Sequence, residues 1–174
     1  MGSDPVKRSG RDWADCLTSD GRLAQSSYRG RVPRVPRLQL PDGIYHVGSR
    51  GVDRRYIFLD SCDRDSFLSM LKRIVTNHRW RCHGFCLMGT HYHLLIESAI
   101  ADLSAGMQRL NSGYARAYNV RHGREGHLFE RRFYSEFVQT EEHLYELMRY
   151  IACNPVRAGL CADPADWPWS YPRL

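Results

Sequence analysis

The chain has 174 residues, 43% of them hydrophobic and 25% charged, with a formal net charge of +6. That length fits one domain with a substantial core and some additional tail, and no apolar run nears the roughly 20 residues that cross a bilayer as a helix. The opening lacks the apolar stretch of a secretory signal, and the six cysteines form no C-x-x-C pair. A cytoplasmic protein with reduced thiols, rather than a disulfide scaffold, is therefore expected.

Taken in chain order, residues 1–40 are rich in Arg, Ser, Gly and Pro and show no sustained periodicity. They read as a basic, disordered arm. Within it "RGRVPRVPR" (Arg29–Arg37) is either a solvated linker or a strip that lies along DNA phosphates or in a minor groove. Residues 41–174 are expected to form the folded domain. "GIYHVGSRG" reads as a strand ending in a glycine-bounded basic turn. Asp60 or Ser61 can cap a helix over 61–78, where Phe67, Leu68, Leu71, Ile74 and Val75 recur at helical spacing.

"WRCHGFCLM" (80–88) and "HYHLLIES" read as two strands of a hairpin joined at Gly89-Thr90, with Cys82 and Cys86 on one face. Leu103, Met107, Leu110, Tyr114 and Tyr118 mark a second helix that stops at Gly123. Residues 123–140 are a glycine-rich turn followed by an alternating strand. Thr140 opens a third helix with buried Leu144, Leu147, Met148 and Ile151, and Asn154-Pro155 is expected to end or kink it. The order βαββαβ plus a helix predicts an α+β sandwich, with helices on one face of an antiparallel sheet.

His91 and His93 sit one residue apart on the third predicted strand. Alternation points both to one side and Tyr92 to the other, with Cα atoms roughly 6–7 Å apart. Two imidazoles so placed can converge on a cation; by itself such a pair is more often two exposed or satisfied histidines. On the third helix His143, Glu146, Tyr150, Asn154 and Arg157 follow one another at three- or four-residue steps and form one edge. A carboxamide oxygen such as that of Asn154 is a hard ligand suited to Mg²⁺ or Mn²⁺. Arg50, Arg54 and Arg55 surround the turn after the first strand, while Arg116, Arg121, Arg124, Arg131 and Arg132 follow in and after the second helix. These arginines are the candidate phosphate contacts, with Phe129 and Phe133 nearby to stack on unpaired bases.

Four blocks, "YHVGSRG", "CLMGTHYHLLIE", "GREGHLFERRF" and "RYIACNPVRAGL…DWPWSY", in this order, resemble the REP-associated tyrosine transposases. These are a group of the single-tyrosine HUH transposases of bacterial insertion sequences. The resemblance runs from about Arg37 to Tyr171 and does not include the arm. It implies a ferredoxin-like or RRM-like sandwich with a C-terminal tyrosine-bearing helix. It also implies His91 and His93 as ligands of a divalent ion (Mg²⁺ or Mn²⁺), Asn154 as the third, polar ligand, and Tyr150 as the nucleophile. The implied reaction is metal-dependent cleavage and strand transfer of single-stranded DNA beside a hairpin, through a 5′-phosphotyrosine. The protein would be a monomer or homodimer associated with the bacterial nucleoid. The alternative is an RRM-like module that holds hairpin DNA or RNA without cutting it. Such a module keeps the arginines but has no use for a tyrosine beside paired histidines.

Overall fold

A β-strand whose two faces are both apolar needs a cover on each side. In the first strand Tyr45 and Val47 point one way, and Ile44 and His46 point the other. That two-sidedness organises the fold. The structure is a computed structural model and describes residues 41–171; the predicted arm, residues 1–40, lies outside the described residues. The strands are β1 (Gly43–Arg50), β2 (Arg81–Leu87), β3 (His91–Ser98), β4 (Tyr134–Phe137) and β5 (Ser170–Tyr171). They pair antiparallel in the order β4-β1-β3-β2-β5, which places β3 at the centre.

Helices α1 (Ser61–Asn77) and α2 (Ile100–His122) cover one face. Phe67 and Leu71 of α1 and Leu103, Met107, Leu110 and Tyr114 of α2 bury against Tyr45, Val47, Tyr92, Leu94 and Ile96. Helix α3 (Glu141–Arg157) covers the other face, where Leu147 and Ile151 pack on Cys86, Met88 and Leu95. The expected α+β sandwich with a separate tyrosine-bearing helix is what forms. Asp60 caps α1 by accepting from the Asp63 amide at 3.0 Å, and Thr140 caps α3 by accepting from His143 at 3.1 Å. Gly123 follows α2 as its C-cap.

Three features depart from the sequence expectations. Helix α3 runs through Pro155 to Arg157. The proline lies in the last turn, so it disrupts little of the ladder beyond it. Just past the Ala158 cap the chain turns away at Gly159, whose φ of +68° suits a left-handed turn, with Leu160 N–H donating to the Pro155 carbonyl at 2.9 Å. The pairing of β2 with β3 shifts register between Cys82 and Gly84. This bulge flips the alternation, so Cys82 packs with the α1/α2 core and Cys86 with the α3 core, not on a shared face. Finally, "DWPWSY" supplies β5, which pairs with β2, and Trp167 donates its indole N–H to the Leu87 carbonyl at 3.2 Å. The segment closes an otherwise open sheet edge.

Candidate active site

The site lies on the α3 face of the sheet. Cross-strand registry places Tyr134 of β4 opposite Gly48 of β1, and Gly48 opposite His93 of β3. Gly48 is the gap in this row: a Cβ there would lie 2.4 Å from the Tyr92 carbonyl oxygen and 2.7 Å from Cε1 of Tyr134. Its missing side chain lets the Tyr134 ring cross β1 and reach the histidines.

His91 and His93 share this face, ring centroids 5.1 Å apart, and Tyr92 lies buried beneath, on the α2 side. Tyr92 bonds through its hydroxyl to Ser49 and Asn111. Each histidine has its Nδ1 engaged. His91 Nδ1 meets the Thr90 hydroxyl at 3.0 Å, and His93 Nδ1 lies 2.6 Å from the Tyr134 hydroxyl and 3.0 Å from His46 Nε2. His93 Nε2 is buried and has no hydrogen-bond partner among the described residues. A buried polar nitrogen without a partner is costly unless something absent from the chain completes it. Burial, followed by the nearby charge of Arg50, holds the His91 pKa down to about 4. Burial, with His46, His91 and Arg50 adding to it, holds His93 well below the usual imidazole value. Both rings are therefore neutral at physiological pH and have lone pairs to offer.

The tyrosine helix faces this pair. Tyr150 stands edge-on to His93, ring centroids 5.7 Å apart, and 6.3 Å from His46. The guanidinium of Arg157, about two turns further along α3, lies 5.4 Å from the Tyr150 ring centroid. Asn154 donates from its amide nitrogen to the Tyr150 carbonyl at 3.0 Å, a bond within its own helix. Among the described residues no three His, Cys, Asp or Glu side chains cluster as a metal site. A divalent ion here would take its protein nitrogens from His91 and His93, and a third ligand would have to be an oxygen such as that of the Asn154 carboxamide. The donor set and the partnerless Nε2 fit such an ion.

Three further tyrosines of the helices lie away from the site. Tyr114 donates to the Ile57 carbonyl and Tyr118 to that of Tyr56, both with the α1/α2 core, while Tyr145 is exposed. The eight candidate arginines separate. Arg50 and Arg131 line a cleft of about 280 Å³ together with Gly48, His91, His93 and Tyr134. Arg54 and Arg55 are exposed on the turn just after β1, where Asp53 and Arg54 both take positive φ. Arg116 is exposed on α2, and Arg124 packs over the Tyr118 ring. Arg121 is bound by Asp60 and Asp63. Arg132 lines a separate groove of about 520 Å³ beside Gln108 and Asn111 of α2. Three residues of the site were not singled out from sequence: His46, Tyr134 and Glu136. Parity within a strand groups His46 with Gly48 and Tyr134 with Glu136, but only the pairing of β1 with β3 and β4 brings them to the histidines.

The βαββαβ order with α1 and α2 on one face makes a ferredoxin-like α+β domain, and α3 on the other face meets the histidine pair. The chain belongs to the IS200-like transposase family, whose model matches residues 40–154. A protein described as a REP-associated tyrosine transposase of Haemophilus influenzae is 26% identical over 117 residues. That match covers 61% of this chain and 66% of the relative, just under two thirds of its length. A solved structure of a REP-associated tyrosine transposase bound to a REP hairpin shares the fold, with a TM-score of 0.64 at 16% identity, over 75% of this chain and 77% of that one. No helix among the described residues is long and apolar enough to cross a membrane.

Proposed function

We propose that the chain is a divalent-metal-dependent strand transferase that nicks single-stranded DNA beside a hairpin and holds the cut end on Tyr150. The observation that carries this reading is the Tyr150 ring, edge-on and 5.7 Å from His93, on the face that holds both histidines. Membership of a transposase family and the hairpin-bound relative support it. His91 and His93 would hold Mg²⁺ or Mn²⁺ through Nε2, with the Asn154 amide oxygen as third ligand. When bound, the cation would neutralise the phosphate and stabilise charge developing at phosphorus.

Tyr150 Oη attacks phosphorus as the bond from phosphorus to the 3′ oxygen breaks. The phenol proton passes to solvent, and the departing oxygen takes a proton to become a 3′-hydroxyl. The resulting 5′-phosphotyrosine conserves the energy of the diester, so rejoining to another strand needs no nucleotide cofactor. Arg50 and Arg131 at the cleft, with Arg54 and Arg55 beyond, would hold the phosphates. One chain carries both the histidines and the tyrosine of this arrangement, so a single copy suffices. Work on hairpin repeats of the chromosome would place the protein in the bacterial cytoplasm, at the nucleoid.

The test is a denaturing gel with hairpin oligonucleotides bearing randomised single-stranded flanks and Mn²⁺. A protein–DNA adduct that disappears with EDTA is expected. Tight hairpin binding with no adduct from any flank would leave a binding module instead.

A further inference from the structure

Behind His93 lies a row of polar groups that the strand-transfer chemistry does not use. His93 Nδ1 contacts the Tyr134 hydroxyl at 2.6 Å and His46 Nε2 at 3.0 Å, and the same hydroxyl lies 2.9 Å from that Nε2. On the far side of the ring, His46 Nδ1 is buried and has no hydrogen-bond partner among the described residues; the Glu136 carboxylate faces it as a charge at 3.9 Å. The opposite oxygen of Glu136 lies 3.7 Å from His143, in the first turn of α3.

We infer that Glu136, His46 and Tyr134 are positioning residues that fix the tautomer of His93, leaving its Nε2 as a bare lone pair. An ionised carboxylate only accepts hydrogen bonds, and a neutral imidazole donates from one nitrogen and accepts at the other. The negative charge of Glu136, 3.9 Å from Nδ1, favours the proton of His46 on that nitrogen, which makes His46 Nε2 an acceptor. Tyr134 O–H donates to that Nε2, and its oxygen accepts from His93 Nδ1–H. With its proton on Nδ1, His93 has none on Nε2, the buried atom without a partner. Reversing any donor in the row reverses them all and puts a proton on Nε2, where it would block a cation. Glu136 also faces His143, so one carboxylate steadies both the ligand and the helix that carries Tyr150.

This inference rests on the metal reading above, but the metal-free protein tests it. The side chain of Glu136 is 58% exposed, so its replacement leaves the core intact. Histidine ¹⁵N chemical shifts of the metal-free protein should show His93 protonated on Nδ1. Because His93 Nδ1 also contacts His46 Nε2 directly at 3.0 Å, the Nε2-protonated form should appear in Glu136→Ala and in the double variant Glu136→Ala with Tyr134→Phe. Manganese affinity, followed by electron paramagnetic resonance, should fall about tenfold or more in both. Glu136→Gln, which keeps an acceptor oxygen, should fall between wild type and Glu136→Ala. Wild-type His93 protonated on Nε2, or unchanged tautomer and affinity in both variants, would overturn the inference. If wild type binds no manganese, the metal reading fails, and the tautomer shifts still decide the row.

Discussion

His91 and His93 differ in their support. His91 leans on a neighbouring threonine hydroxyl at the mouth of the cleft, whereas His93 is enclosed by Tyr134, His46 and the Tyr150 ring. His93→Ala should therefore open a hole in a packed site, while His91→Ala removes a proposed ligand with little structural cost. Both variants should lose manganese binding and adduct formation while retaining most hairpin binding; normal cleavage in EDTA by either would remove the ion from the account. Tyr92→Phe should keep cleavage, because its hydroxyl points away from the site. Its cost should be about 1 kcal/mol of stability, since Asn111 and Ser49 still bond each other at 2.8 Å. At this scale the sequence was legible where parity sufficed: one residue between two histidines on a strand fixes their shared face. The neighbours His46 and Tyr134 were not legible, because they depend on cross-strand register and on Gly48 leaving room between them.

At the level of elements, α1 and α2 are joined end to end by charge. Asp63 is 2% exposed, accepts from the Leu59 amide at 2.8 Å, and binds both Arg121 and His122 at the C-terminal end of α2. Burial pushes the Asp63 carboxyl up, but the hydrogen bonds from His122, Leu59 and Arg121 outweigh it and hold the pKa below 3.8. Asp60 is held lower still, chiefly by Arg121. Both folded pKa values lie below the unfolded one, so their contribution is complete above about pH 4 to 5 and is lost as pH falls through the folded values. Asp63→Asn should cost about 1–3 kcal/mol at neutral pH and flatten the acid limb of stability. Thermal melts from pH 2 to 7 check this; unchanged melting at both ends would contradict it. Arg121 thus serves the helix junction, a role its place in a run of arginines could not disclose. Caps and stripes at Asp60, Thr140 and Leu147 were plain in the sequence because they are local. The bulge in β2 and the two-residue β5 were not, since pairing partners distant in the chain decide them.

For the whole molecule, the arginines predict how DNA binding responds to salt. Each phosphate neutralised on a single strand contributes about 0.7 to the slope of log affinity against log salt. Arg50→Ala with Arg131→Ala, at the cleft, should flatten that slope by about 1.4. Arg121→Ala should leave the slope alone and lower stability instead; the opposite pattern would move the DNA path off the histidine face. The central claim is that one sheet face holds the phosphate and α3 delivers the attacking hydroxyl. Tyr134 is the instructive rival, because its hydroxyl already touches His93 and His46, although burial raises its pKa well above the usual phenol value. The most direct measurement is mass-spectrometric mapping of the peptide that carries the DNA after cleavage in Mn²⁺. The account predicts the phosphodiester on Tyr150 and no adduct from Tyr150→Phe at near-native hairpin affinity. A link on Tyr134 or any other residue, or a covalent product from Tyr150→Phe, would contradict it.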